Sequence, residues 1–386
     1  MHILMLSDVY FPRVNGVSTS IQTFAGAFLA YGHSLTLIAP DYPTTYESAF
    51  EVIRIPARTL PLDPEDRLMS LSAIKKLVPE LQARTFDIVH IQTPFVAHYA
   101  GLFLGKALGL KIVVSYHTYF EAYFEKYLPW VPKMLLRAVA RNYSRKQCNQ
   151  VDSVISPSQQ MLARLREYGV TRPADVIPTG LPSEHFALSS CPDFRRRHQV
   201  PDDAFLLLYV GRVAHEKNID FLIDMFGVLK DELPEAILMI VGEGPALGGL
   251  LRRVAHLKLE DRVRFAGYLE RKFELLACYQ SSDVFVFASE TETQGLVLLE
   301  AMASGLPVVS TASMGSCDVL IDGKGCLVSP PDEAEFARRV LLLRRDKDLA
   351  KRLSKNGVDY AQGWSADAKA RQMLDFYQNV IEGSEC

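Results

Sequence analysis

Apolar positions along this chain fall into two kinds of run. The first kind is short and almost uninterrupted: HILMLS (2–7), SLTLIA (34–39), FDIVHI (86–91), KIVVS (111–115) and DSVIS (152–156). A second set follows: AFLLLYVG (204–211), AILMIVG (236–242), RVRFAG (262–267), DVFVFAS (283–289), PVVST (307–311) and GCLV (325–328). These runs are too continuous for a sheet with one wet face, so they predict strands covered on both faces. The second kind of run is longer and repeats apolar residues at helical spacing, at 18–31, 96–109, 133–149, 218–230 and 332–344. Strands alternating with helices predict parallel sheets joined by crossover helices, an α/β fold.

The alternation resets once. Between the two strand sets lies VIPTGLPSEHFALSSCPDFRRRHQVPDDA (176–204), rich in Pro, Ser and charge, which predicts a linker and a short lead-in. The expected organisation is two doubly wound, Rossmann-like domains, 1–180 and 181–364, facing across a cleft. The last stretch, 365–386, contains SADAKARQMLDFYQNVIEG and predicts an amphipathic helix that packs back on the N-terminal domain. In open α/β sheets ligands bind beyond the carboxyl ends of the strands, so candidate chemistry belongs in the loops that follow them.

Composition narrows the class. The 386 residues are 48% hydrophobic and 23% charged, ordinary for a globular chain. A formal net charge of −3 argues against a general nucleic-acid binder. No apolar run reaches the roughly 20 residues of a membrane span. The opening MHILMLSDVY has neither a basic region nor a cleavage pattern, and the six cysteines (148, 191, 278, 317, 326, 386) are scattered. A cytoplasmic protein with reduced thiols is expected, and contact with a membrane surface stays open.

Three strand-end loops carry candidate chemistry. In SDVYFPRVNGVSTSIQTF, Gly16 precedes a helix start that Ser18 or Thr19 can cap, a place where backbone N–H groups can approach a phosphate. There is no G-x-G-x-x-G and no P-loop lysine, and the bland alternative is a plain strand–turn–helix. In LLLYVGRVAHEKNIDF, Arg212 and Lys217 supply a planar fork and a point charge, the cation types suited to a diphosphate; the alternative is a pair of solvated cations. In ETETQGLVLLEAMASG, Glu292 sits in a loop, Gln294 and Gly295 begin a helix closed by Gly305, and Glu300 lies among apolar neighbours where a charge needs a partner. Carboxylates accept paired hydrogen bonds from the hydroxyls of sugars and riboses.

One further stretch, SYHTYFEAYFEKYLPWVPKMLLRAVARNYSRKQ (115–147), places His117 at a strand end before Tyr119, Tyr123 and Trp130. The helix after it carries Arg137, Arg141 and Arg145 on one face and no acid; Met134, Leu135, Ala138 and Val139 supply apolar surface. That combination suits an anionic membrane surface, or else aromatics packing a cleft wall beside solvated arginines.

GRVAHEKN followed by ETQGLVLLEAMASGLPVV resembles the retaining glycosyltransferases of family 4, whose architecture is GT-B, and the resemblance covers essentially the whole chain. Its Glu-x7-Glu signature is Glu292 through Glu300. The resemblance implies that Glu292, Thr293, Gln294, Gly295 and Leu296 hold the donor hexose and Glu300 the ribose. It implies that 1–180 binds the acceptor and 181–364 the nucleotide sugar, that Arg212, Lys217 and Gly16 attend the diphosphate, that Tyr268 falls near the base, and that VGEGP (241–245) is a structural loop. YHT with the aromatic segment, and TETQGLVLLEA, look like the diacylglycerol glucosyltransferases of that family. By that likeness His117 binds sugar hydroxyls, the donor is UDP-glucose, the acceptor is a lipid hydroxyl, and the protein is peripheral on the inner face of the membrane. The sequence offers no D-x-D loop of the kind metal-dependent transferases use, so neither a metal nor a cofactor is expected. Competing possibilities are a GDP-mannose or UDP-sugar transferase with a polysaccharide or soluble acceptor, a nucleotide-sugar epimerase and a non-catalytic sensor.

Overall fold

The structure is a computed structural model that describes residues 1–44, 46–60, 63–117, 120, 132–187 and 193–383. It resolves into two compact units, Met1–Gly180 with Ala366–Cys386, and Leu181–Ser365.

The first unit is built on seven parallel strands: β1 (His2–Leu6), β2 (Ser34–Pro40), β3 (Glu51–Ile55), β6 (Ile88–Ile91), β7 (Lys111–Ser115), β8 (Ser153–Ser156) and β9 (Ala174–Val176). They are ordered β3-β2-β1-β6-β7-β8-β9, and β4 (Ala57–Leu60) with β5 (Asp63–Met69) forms a separate antiparallel hairpin. The second unit has six parallel strands: β10 (Phe205–Val210), β11 (Ala236–Val241), β12 (Val263–Gly267), β13 (Val284–Phe287), β14 (Val308–Ser310) and β15 (Cys326–Val328), ordered β12-β11-β10-β13-β14-β15. Nearly every position of β1, β10, β11 and β13 is buried, because crossover helices cover both faces. Both sheets reverse their winding direction once, beside β1 in the first and beside β10 in the second. Each therefore has a switch point, between β1 and β6 and between β10 and β13, where loops diverge and leave a crevice.

The sequence pattern missed the edge strands β3 and β9 and the hairpin β4–β5. Of these, β3 (EVIRI) is half-buried with a charge at its start, so it lacks an uninterrupted apolar run. The stretch expected as a linker contributes Leu181, Phe194 and Val200 to the core of the second unit.

The helix Ala366–Glu382 belongs to the first unit, where it lays Ala370, Met373, Phe376, Tyr377 and Val380 against Ile21, Phe24 and Phe28. Each large apolar side chain so buried contributes about 1.5–3 kcal/mol. Beneath it, the Tyr377 hydroxyl lies 2.6 Å from His90 Nδ1, and His90 Nε2 lies 2.8 Å from Ser115 Oγ.

His90 is fully buried, and burial, aided by nearby His117, pushes its imidazole from 6.5 down to about 3. The unfolded chain takes up a proton there as pH falls through 6.5, and the folded chain does not until about 3. Throughout that window the unfolded state binds more protons, so stability falls with pH by about 1.4 kcal/mol per unit from this residue. Urea unfolding of a His90→Gln variant between pH 6.5 and 4 should show an acid slope flatter by about that amount. Equal slopes in the two proteins would contradict the assignment.

Candidate active site

In the second unit the loop after β10 contains a 3₁₀ turn, His215–Lys217, and ends at Asn218 in a left-handed conformation before the helix Ile219–Leu229. The loop after β13 carries Glu292. Lys217 Nζ and Glu292 Oε1 form an ion pair across the switch point, with side chains 20% and 16% exposed. Ser289 Oγ also donates to the Glu216 carbonyl at 3.4 Å. Neighbouring loops pack closely against the backbones of the two that carry this pair. A Cβ on Gly242 would sit 2.0 Å from the Gly211 carbonyl oxygen, and one on Gly315 would sit 2.0 Å from that of Thr293. Only glycine permits these approaches, which is the structural use of VGEGP. The Gly315 N–H then donates to the Glu292 carbonyl at 2.8 Å.

Gly295 adopts the left-handed conformation as the cap of the helix Leu296–Ala303, so the helix starts one residue beyond Gly295 and not at Gln294. Gln294 is buried, and Thr293 and Leu296 are half-buried. Glu300 is 2% exposed, and the Tyr279 hydroxyl donates to its Oε2 at 2.9 Å. The partner that a carboxylate among apolar neighbours requires is thus supplied from the helix Leu276–Gln280. Arg212 is exposed beside this loop cluster, and Tyr268, just past β12, is 57% exposed.

In the first unit Asp8, at the end of β1, performs the corresponding latch. Its carboxylate accepts from Thr93 Oγ at 2.7 Å, the Phe95 N–H at 3.2 Å and the Ala97 N–H at 3.0 Å, capping the helix Val96–Leu108 from the adjacent strand. Burial pushes its carboxyl up to about 6 against those hydrogen bonds. The helix Gly16–Ala30 is capped by Asn15, whose side chain accepts from the Ser18 N–H at 2.8 Å. This replaces the expected cap by Ser18 or Thr19: Asn15 is extended and can fold over the first turn, whereas those two are already helical. Gly16 opens the helix, and a Cβ there would meet nothing within 4 Å.

His117 follows β7 and is half-buried; burial pushes its imidazole down to about 4, and Gln92 Oε1 lies 3.0 Å from its Nε2. Tyr119, Tyr123 and Trp130 lie outside the described residues. The helix Lys133–Cys148 buries a narrow stripe, Leu136, Ala140, Ser144, Gln147 and Cys148. Arg137, Arg141 and Arg145 line a surface groove of about 540 Å³ with Met134, Ala138, Asn142 and Tyr168. Arg141 stacks over the Tyr168 ring, and Arg145 donates to Asn142. Met134 (84% exposed), Leu135 and Val139 stand in solvent on the same helix.

The structure therefore joins Lys217 with Glu292 and places Thr293 to Leu296 and Glu300 around the start of one helix. Gly16, His117 and the arginine helix belong to the other unit. Asp8, Gln92 and Tyr279 were not singled out from sequence. Asp8 gave a signal, an acid at a strand end; Gln92 and Tyr279 gave none. Among the described residues no cluster of three or more His, Cys, Asp or Glu could hold a metal, and no helix is long and apolar enough to cross a membrane.

Comparison with known proteins matches residues 14–185 to the model described as Glycosyltransferase Family 4 and residues 191–359 to Glycosyl transferases group 1. The alpha-monoglucosyldiacylglycerol synthase of Streptococcus pneumoniae is 30% identical over 80% of this chain and 71% of its own length. The synthase of the same name from Acholeplasma laidlawii is 26% identical over 99% and 98%. A GDP-mannose-dependent alpha-mannosyltransferase of Mycobacterium tuberculosis is 29% identical over 87% and 85%. Among solved structures, the sucrose-phosphate synthase of Thermosynechococcus elongatus superposes with a TM-score of 0.81 at 23% identity, covering 99% of this chain and 100% of that one. Two parallel-sheet units, each latched at its switch point, and two family models that divide the chain between them lead to one conclusion: the chain belongs to the GT-B glycosyltransferases and is a hexosyltransferase with a family 4 N-terminal half and a group 1 C-terminal half.

Proposed function

We propose that this enzyme transfers glucose from UDP-glucose to a hydroxyl of a lipid acceptor such as diacylglycerol, with retention, giving an α-glycoside. The observation that carries it is the Lys217–Glu292 pair in front of the helix that begins at Leu296. Lys217 and Glu292 hold each other in place until the donor arrives. The ammonium then moves to the diphosphate and the carboxylate to the sugar hydroxyls. Arg212 adds a second cation, and the N–H groups of the first helical turn add a partial positive charge. Once the donor is bound, charge developing on the departing diphosphate is met by these cations and N–H groups, which is where such sites gain most of their rate. Thr293, Gln294, Gly295 and Leu296 line the hexose, Glu300 takes the ribose hydroxyls, Tyr268 stands near the base, and Gly16 leaves room for a phosphate. No protein nucleophile is assigned; the acceptor hydroxyl attacks the face that the phosphate leaves, and the phosphate takes its proton. His117, neutral at physiological pH, binds a substrate hydroxyl.

Support for the lipid acceptor comes from two sides. The two synthases above are named for glucosylated diacylglycerol. The helix Lys133–Cys148 also exposes Met134, Leu135 and Val139 alongside Arg137, Arg141 and Arg145, the pattern of a helix that lies on an anionic membrane. A second proposal, mannose from GDP-mannose to a polysaccharide or other soluble acceptor, has the mannosyltransferase relatives in its favour.

Lys217→Ala and Glu292→Gln should each lower kcat/KM for UDP-glucose by about 10²–10³-fold while thermal unfolding shows a folded protein. Unchanged turnover in both would remove the pair from the site. In co-sedimentation with phosphatidylglycerol vesicles at low salt, the triple variant Arg137→Ala, Arg141→Ala, Arg145→Ala should bind at least about tenfold more weakly than wild type. Equal binding would remove this helix from the membrane contact.

A further inference from the structure

Gln92 directly follows β6 in the first unit, and its buried side chain bridges two histidines. Its Oε1 lies 3.0 Å from His117 Nε2. Its Nε2 lies 3.2 Å from both ring nitrogens of His90, which places it over the face of that ring, and 3.6 Å from Met5 Sδ. His90 is itself held at both ends, by Tyr377 at 2.6 Å and Ser115 at 2.8 Å. His90 and Tyr377 are fully buried, and Gln92 and Ser115 nearly so.

This packing selects one orientation of the amide. Turned over, Gln92 would aim carbonyl lone pairs at the electron-rich ring face and the thioether sulfur; as placed, it aims N–H groups at both. A carboxamide oxygen only accepts, so the His117 nitrogen facing it carries the proton. We infer that Gln92 is a positioning residue: it fixes His117 as the Nε2–H tautomer and leaves Nδ1 as an acceptor for a substrate hydroxyl. Such a ring selects hydroxyls and offers nothing to an anion. The Tyr377–His90 pair acts one step further back, tying the C-terminal helix to the orientation of the amide. The substrate part of this inference rests on His117 facing substrate as proposed above; the tautomer part does not.

The test combines nitrogen-15 NMR of the histidines in the full chain with steady-state kinetics on UDP-glucose and diacylglycerol vesicles. Wild-type His117 should appear as the neutral Nε2–H tautomer. Gln92→Leu should mix the tautomers and lower kcat on the order of ten- to a hundredfold, by analogy with lost partners of ligating histidines, with donor KM about unchanged. Gln92→Glu keeps an acceptor, so it should retain the Nε2–H tautomer, raise the titration midpoint of His117 through its charge, and recover part of the rate lost in Gln92→Leu. A wild-type Nδ1–H tautomer overturns the inference without any variant having to fold, and so does an unchanged tautomer in Gln92→Leu. Mixed tautomers with an unchanged kcat would support the positioning of the ring and overturn its role toward substrate.

Discussion

The Lys217–Glu292 ion pair is the contact on which the second unit's site depends. Its two residues are 75 positions apart and come from loops after β10 and β13, strands that neighbour each other at the switch point. Pairs this close to the surface contribute little net stability, because desolvation offsets most of the attraction. Their value here is placement. With the pair formed, the loop after β10 cannot drift from the loop after β13. Gly242 and Gly315 then let two further loops close in until only hydrogen atoms fit between the backbones.

The first unit solves the same geometric problem with less charge. Asp8 ties β1 to the helix after β6, but burial raises its carboxyl toward neutrality. His90 and His117 are kept uncharged by the same cause. The loops after β10 and β13 therefore carry a cation and an anion, whereas the first unit holds two neutral imidazoles beside one hydrogen-bonded carboxylate. On the function proposed above, charged Lys217 faces the leaving diphosphate and neutral His117 a substrate hydroxyl.

Much of the fold was legible because strands buried on both faces must be continuously apolar; β10 and β11 stand out for that reason. Strand β3 did not, because an edge position lets Glu51 and Arg54 interrupt the run. Helix ends were legible to within a residue or two, but the cap of the first one was misplaced, since Asn15, Ser18 and Thr19 are all capping residue types and only backbone conformation settles between them. Within the site, local sequence gave the residues and not their partners. Glu300 visibly needed a hydrogen bond, yet nothing near it in sequence pointed to Tyr279. Lys217 and Glu292 were each visible as strand-end charges, but their pairing is a product of strand order. Gln92 gave no signal, because its importance comes wholly from the two histidines it separates.

The most direct measurement is hydrogen exchange of the full chain, read by mass spectrometry with and without saturating UDP-glucose, and with GDP-mannose in parallel. Protection by the sugar nucleotide should concentrate in 211–218, 288–297 and the loop around 242–246, with UDP-glucose protecting more than GDP-mannose. Protection absent from those loops while either ligand is bound would contradict the placement of the donor at the Lys217–Glu292 pair.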